Sequence, residues 1–382
     1  MQRDRAGPVG DSRAVERRPR VAVTLEQCWH RVPGGTAQAA LESVRAVQAH
    51  GSVDQVGVSA WHRRPPAAPW RPPIEVRALP MPRRALYEAW HRARRPRVER
   101  ATGPVDVIHA TGMAVPPPSA PLVVTVHDLA FLRDRSRATR HGMAFFVRSV
   151  ELAVRDATLV IAPSEATLAD CRANGFDPAR LRLVPWGIDP QPATVAEVAA
   201  VRERYRLWPR YVLFTGTIEP RKNLPRLLEA YARLDRPDVQ LVLAGPQGWN
   251  EDLTARLEPI RERVAPVGFV APGELRALYA GADVVCYPSL EEGFGLPVLE
   301  AMAQGTAVLT SATTATAEVG GDAAVLVEPT EVTAIADALA SLLDEPDRRA
   351  RLGAAGQRRA IEVFPWSATA AALEAVYREA AG

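Results

Sequence analysis

Short apolar runs alternate with amphipathic stretches along most of the chain, the signature of strand–helix units around a parallel sheet. The first strand is expected at Val21–Leu25, followed by a glycine turn at Gly34 and Gly35 and a helix to about His50. Gln55–Ser59, Ile74–Leu79, Val105–His109, Leu122–Val126, Thr158–Ala162 and Leu181–Val184 continue the series, and Ser164 is placed as a helix N-cap. A polar linker near Trp186–Ala193 precedes a second series: Tyr211–Thr215, Val239–Ala244, Pro266–Val270, Asp283–Tyr287, Ala307–Thr310 and Ala324–Glu328. Two or three helices close the chain from Thr330 to Ala380. No short-period repeat is present.

This pattern, with 382 residues, exceeds one ordinary α/β core and points to two doubly wound domains. The boundaries expected are 1–19 as a disordered extension, 20–187 and 188–365 as the two Rossmann-like domains, and 366–382 as a terminal helix. Two segments break the rhythm. Arg63–Pro82 is too proline-rich for regular helix. Arg83–Arg100 carries seven arginines on a helix-compatible stretch, either a solvated face or a basic surface that meets anionic lipid head groups, at the inner face of a membrane, or a phosphorylated acceptor.

Composition narrows the class without naming a chemistry. Apolar residues make up 47% and charged residues 24%, the balance of a soluble globular protein. No apolar run approaches the ~18–20 residues of a membrane helix, and the charged N-terminus lacks the apolar centre of a secretory signal. Cys28, Cys171 and Cys286 are scattered and odd in number, so they read as buried thiols in a reducing cytoplasm. A net charge of +3 demands no nucleic-acid partner. All seven histidines lie in the first 141 residues, and none has metal-ligand spacing. Lys222 is the only lysine among 47 basic residues, so its survival in an arginine-biased chain marks its position.

The most specific string runs from Ser289 to Gly305, SLEEGFGLPVLEAMAQG. A strand end leads into a loop with Glu292, Gly293, Phe294 and Gly295, and a helix starts near Leu296 with Pro297 where a missing N–H costs nothing. Glycines let a ligand approach the backbone, and free helix-start N–H groups favour anionic oxygens. Glu292 and Glu300, eight residues apart, can accept hydrogen bonds from sugar and ribose hydroxyls. The second string, Gly216-Thr-Ile-Glu-Pro-Arg-Lys-Asn-Leu224, puts Arg221 and Lys222 at the carboxyl end of a parallel strand, where α/β folds bind ligands.

These strings resemble the signature of retaining GT-B glycosyltransferases, the large group containing bacterial mannosyl- and glucosyltransferases of cell-surface polysaccharides. The resemblance covers about residues 20–365, with its specific motifs in 211–305. It implies a GT-B fold, two facing Rossmann-like domains with the cleft between them, and a final helix, Ser367–Ala380, crossing back onto the first domain. It assigns the ribose hydroxyls to Glu300, the donor sugar and phosphates to Glu292 and the Gly293–Leu296 loop, and the diphosphate to Arg221 and Lys222 beside Gly216. His127, in Thr125-Val-His-Asp-Leu129, is placed over the donor sugar, with Gly34 and Gly35 near its phosphates. Gly268-Phe-Val270 is placed at the base, so Phe269 and Val270 are the base-binding candidates. Thr217 stands where some relatives carry arginine, so one phosphate contact is missing.

The implied reaction is transfer of a hexose from a nucleotide diphosphate sugar, with retention, to a polysaccharide, glycolipid or small-molecule acceptor bound mainly on the first domain. No Asp-x-Asp motif appears and two cations can replace a bridging metal, so no metal and no cofactor is expected. His-Asp-Leu-Ala-Phe-Leu and Gly-Thr-Ile-Glu-Pro-Arg-Lys-Asn-Leu most resemble mannosyltransferases, which points to GDP-mannose. Two rivals stand beside this reading. A sugar-nucleotide epimerase on the same architecture is disfavoured by the Gly-Phe-Gly-Leu-Pro loop. A non-catalytic, sugar-nucleotide-sensing partner of a membrane glycan-assembly complex is disfavoured by the complete donor motif.

Overall fold

The computed structural model describes residues 17–30, 33–133, 140–246, 248 and 253–382, with the backbone alone at 140–141. Residues 1–16 of the expected extension lie outside the described residues. Among the described residues, thirteen strands form two parallel sheets. β1 (Arg20–Thr24), β2 (Asp54–Ala60), β3 (Val76–Leu79), β4 (Val107–Ala110), β5 (Leu122–Thr125), β6 (Leu159–Ala162) and β7 (Leu181–Leu183) make the first, in the order β3-β2-β1-β4-β5-β6-β7. β8 (Arg210–Thr215), β9 (Val239–Ala244), β10 (Val264–Gly268), β11 (Val284–Tyr287), β12 (Val308–Ser311) and β13 (Val325–Val327) make the second, in the order β10-β9-β8-β11-β12-β13. Both sheets reverse direction beside their first strand, between β1 and β4 and between β8 and β11, the switch point outside which doubly wound sheets bind ligands.

Central strands such as β4, β5, β9 and β11 are buried at every residue, because helices cover both faces and leave no polar side to the pleat. The edge strand β10 differs. Its expected span, Pro266–Val270, is shifted two residues back to Val264–Gly268, since Gly268 turns at φ 69° and Phe269 emerges into solvent with 67% of its surface exposed. Gly34 and Gly35 likewise open the helix Gly34–His50 rather than forming a turn ahead of it. Thr194 and Glu197 close a reciprocal capping box at the start of Val195–Tyr205.

The arginine-rich segment is not one helix. Arg83–Glu88 runs into a π-turn at Ala89–Ala93 and stops at Arg94, whose φ is 52°. Leu86, Trp90 and Val98 are buried beneath it. Arg94 is a structural tie, donating to the carbonyls of Trp90, Val115 and Pro116 and to Asp156. No helix of the described residues is long and apolar enough to cross a membrane. The three cysteines are buried and free.

The chain passes between the sheets twice, at adjacent places. Ile188 N–H donates to the Phe364 carbonyl at 2.8 Å, and a Cβ on Gly187 would lie 2.6 Å from the Trp366 backbone. From there the helix Trp366–Ala381 returns to the first domain and packs along Gly34–His50. Its Tyr377 hydroxyl lies 2.8 Å from Nδ1 of buried His109, whose Nε2 meets Thr125 Oγ1 at 2.7 Å. Burial pushes the His109 pKa down to about 3, so this histidine is a neutral packing element. The last helix is therefore part of the first domain's core. Leu373→Ala, which empties a fully buried position, should destabilise that domain by about 2–5 kcal/mol. A lowered first unfolding transition in urea, with the second transition unmoved, is the expected readout.

Candidate active site

The site starts from the turn after β8. Gly216 bends away at φ 127°, and the residues Pro220–Lys222 form one tight turn. Asn223 ends it at φ 60°. A side chain other than glycine is held in that left-handed conformation because its amide donates to the carbonyls of Pro288 at 2.9 Å and Pro329 at 2.7 Å. The turn is thereby tied to the loop after β11, across the switch point. Lys222 then donates to Glu292 Oε1 at 2.6 Å and to the Tyr287 hydroxyl, which itself donates to Glu292 Oε1 at 2.8 Å. Arg221 reaches Glu292 Oε2 at 3.1 Å and Glu219 at 2.5 Å.

Two cations and two carboxylates thus form a neutral set that is largely out of water. The Lys222, Glu292 and Glu219 side chains are only 8%, 8% and 5% exposed. Buried charge is costly unless every partner is present, and here each is. Burial by itself would raise the Glu292 carboxyl, but Lys222, Arg221 and the hydrogen bonds to it prevail and hold its pKa at about 2. Burial pushes the Lys222 ammonium down, and Glu292 opposes that shift. Burial also raises the Tyr287 hydroxyl well above its usual range, which keeps it a donor.

Glu300 has a different setting. It accepts from Tyr279 at 2.9 Å and from Gln38 of the first domain at 3.2 Å, and no cation answers its charge in those bonds. Burial raises its pKa despite the two donors. The two pairs are crossed along the chain, the earlier tyrosine, Tyr279, with the later glutamate, Glu300, and Tyr287 with Glu292, so no common spacing marks the tyrosines in the sequence.

The first domain closes on this loop. His127, just past β5, donates from Nε2 to the Thr111 carbonyl at 2.9 Å, and its ring lies 5.7 Å from that of Trp186. Burial lowers its pKa, so the imidazole is neutral with Nδ1 as an acceptor. A Cβ on Gly293 would fall 1.8 Å from the His127 carbonyl oxygen, so only glycine lets the two domains meet there. The Gly293 carbonyl accepts from Ser164 at 2.7 Å and Thr167 at 3.0 Å. Glu318 of the second domain accepts from the N–H groups of Glu165 and Ala166 at 2.8 and 2.7 Å, capping a first-domain helix.

The remaining expected positions divide. A Cβ on Gly35 would sit 3.8 Å from Leu296, which brings the first helix start against the helix Leu296–Ala303. Gly34 is open on its Cβ side. Gly295 caps that second helix at φ 113°. The Phe294 ring turns into the core, edge-on to Phe364 at 5.9 Å. Val270 is buried while Phe269 is exposed at the end of β10. Gln38, Thr111, Trp186 and Glu318 lie outside both quoted strings and are visible only in three dimensions, whereas Glu219 lies inside the Gly216–Leu224 string and its pairing with Arg221 is what the structure adds. Among the described residues, no group of three His, Cys, Asp or Glu side chains is placed to hold a metal ion.

Both halves of the chain match known families. Residues 202–359 match the family described as Glycosyl transferases group 1, and residues 33–192 match Glycosyltransferase Family 4. The chain is 36% identical over 302 residues to the MMP alpha-(1->4)-mannosyltransferase of Mycolicibacterium hassiacum, covering 73% of this chain and 71% of that one. It is 32% identical over 321 residues to the D-inositol 3-phosphate glycosyltransferase of Xylanimonas cellulosilytica, covering 75% of each. Among solved structures, Anabaena HepE in complex with UDP and glucose superposes with a TM-score of 0.74 at 19% identity, over 94% of this chain and all of that one.

The charge set predicts a pH signature. The Glu292 pKa is lower folded, at about 2, than in an unfolded chain, about 4.3. Its contribution to stability is therefore complete above that unfolded value and is lost as pH falls towards 2. The gap in melting temperature between the wild-type chain and Glu292→Gln should be widest above pH 5 and close below it. A gap that does not change with pH would show that Glu292 is not held as an ion.

Proposed function

The chain belongs to the group 1 glycosyl transferases, and from that membership we propose that it moves a hexose, with retention, from a nucleoside diphosphate sugar to a hydroxyl acceptor. The observation that carries the proposal is the pair Arg221 and Lys222. They sit at the carboxyl end of β8, on the switch point, and share the one carboxylate of Glu292. A diphosphate entering there meets two cations already in position, so little reorganisation is needed as charge develops on its leaving oxygen.

In this mechanism the bond between the anomeric carbon and the β-phosphate oxygen breaks, and a bond from the acceptor oxygen to the same carbon forms on the same face. The acceptor proton passes to the departing phosphate. Arg221 and Lys222 neutralise the phosphate, and the start of the helix Leu296–Ala303 adds its free N–H groups. Glu292 and Glu300 accept from sugar and ribose hydroxyls, and His127 faces the sugar from the other domain. Two fixed cations supply the charge a bridging metal would otherwise supply, so turnover is metal-independent. GDP-mannose is the first donor to test, in keeping with the mannosyltransferase named in Mycolicibacterium hassiacum.

Thermal stabilisation by a panel of nucleotide sugars in EDTA tests the donor. A ligand at a hundredfold excess over its Kd stabilises by about 2.7 kcal/mol, and GDP-mannose should give the largest shift; a larger shift with another nucleotide sugar would reassign the donor. Lys222→Ala should lose the shift and about 10²–10³-fold in turnover. Turnover that disappears in EDTA and returns with manganese would sink the metal-independent mechanism.

A further inference from the structure

Tyr287 ends β11 with a phenol that is wholly out of water, where an apolar ring would fill the same core. A buried hydroxyl costs stability unless it is hydrogen-bonded, and this one has two partners. It accepts from the Lys222 ammonium and donates to Glu292 Oε1 at 2.8 Å. Its place is fixed from both neighbouring strands. The ring stacks on Phe214 of β8 at 5.9 Å, and the Tyr287 carbonyl accepts from Thr310 Oγ1 of β12 at 2.8 Å. The hydroxyl is therefore a rigid point between a cation and its counter-ion.

A count of hydrogens shows what that point does. An ammonium carries three. Among the described residues, Lys222 gives one to Glu292 Oε1 at 2.6 Å and one to Tyr287, which leaves the third for a ligand. Glu292 Oε1 in turn receives one hydrogen from Lys222 and one from Tyr287. The tyrosine thus takes a place on that oxygen that a second ammonium hydrogen would otherwise fill. Without the hydroxyl, that second hydrogen is free to turn onto the carboxylate, and the whole ammonium rotates with it.

The open side of the pair is at Gly216. A Cβ there would lie 3.7 Å from Lys222 Cε and 3.9 Å from the Tyr287 hydroxyl, so a side chain would cover both. Glycine leaves that space to a ligand at the carboxyl end of β8.

We propose that Tyr287 is a positioning residue: its hydroxyl holds the Lys222 ammonium so that the third hydrogen points to the diphosphate of the donor. The proposal rests on the glycosyltransferase reading above. Tyr287 acts through Lys222 and touches no reacting atom. The charged and titratable groups around the pair are Glu292 from the loop after β11, Arg221 and Glu219 from the turn of Lys222, Asp128 of the first domain beyond Arg221, and Tyr279. The hydroxyl oxygen favours the ammonium, and the hydroxyl hydrogen favours the Glu292 carboxylate. Loss of the hydroxyl therefore lowers the Lys222 pKa, the direction in which burial already pushes it.

Lys222 is the only lysine of the chain, so isotopically labelled lysine gives one side-chain NMR signal, that of this ammonium. In Tyr287→Phe, which keeps the ring, the signal should titrate at least about one pH unit lower than in the wild type, the equivalent of a tenfold change. Calorimetric titration with GDP and GMP, and with UDP and UMP beside them, reads the second effect. The preference for the diphosphate over the monophosphate should fall about tenfold, since a hydrogen bond to a charged group is lost, while the monophosphate binds as before. A loosened core would weaken both nucleotides alike. An unchanged Lys222 titration, an unchanged diphosphate preference or equal weakening of both nucleotides overturns the proposal. The wild-type chain gives a check that needs no variant. Saturating diphosphate should move the Lys222 signal further than saturating monophosphate, and equal movements overturn the proposal even where Tyr287→Phe fails to fold. Failure of every nucleotide sugar to stabilise the wild-type chain overturns the donor reading instead.

Discussion

Glu292 is the residue on which the rest of the site depends, because one carboxylate is shared by two cations, Arg221 and a Lys222 that would otherwise be stranded out of water. Lys222 and Arg221 come from the turn after β8 and Glu292 from the loop after β11. Their pairing therefore binds the two sides of the switch point together. The same two loops are joined by backbone as well, since Leu290 N–H donates to the Arg221 carbonyl at 2.7 Å. A buried pair of like charges repels, and only a shared counter-ion lets both point to one place. The cations are thus fixed in place by groups of the chain itself.

The two domains meet on the residues next to this set. Gly293 follows Glu292 and lies against the His127 carbonyl, so the position that anchors the cations also sets how near the first domain can come. Around that contact the meeting is polar: Ser164 and Thr167 on the Gly293 carbonyl, Glu318 on a helix start, Gln38 on Glu300. Hydrogen bonds of this kind exchange readily with water, unlike an apolar seam, which suits surfaces that must part to admit and release ligands. The two crossings of the chain are tied to each other by the hydrogen bond from Ile188 to Phe364.

Much of this was legible in the sequence. All thirteen strands were expected, because a strand covered on both faces leaves a continuous apolar run that neighbouring structure does not disguise. The errors fall where that condition fails. β10 lies at a sheet edge, so its half-exposed residues carry a weak pattern that runs on past the true strand end to Phe269. The arginine-rich segment was read as helix-compatible although buried Trp90 and the ties of Arg94 bend it through a π-turn. The partners of the glutamates were missed for a related reason. Tyr279 and Tyr287 look like core aromatics in a linear chain, and their hydroxyl groups acquire meaning only when Glu300 and Glu292 are placed against them.

The sequence by itself determined the two doubly wound domains, the family of the chain, and the residues Arg221, Lys222, Glu292 and Glu300 as the set to examine. These depend on local pattern and on short spacings along one strand–loop–helix unit, which the order of residues records directly. Only the tertiary structure decided that Glu292 is held as an ion between two cations while Glu300 is surrounded by neutral donors. It alone decided that Gly293 is small for the sake of the facing domain. Burial, charge pairing and close approach are properties of residues brought together from distant parts of the chain, and no local spacing encodes them.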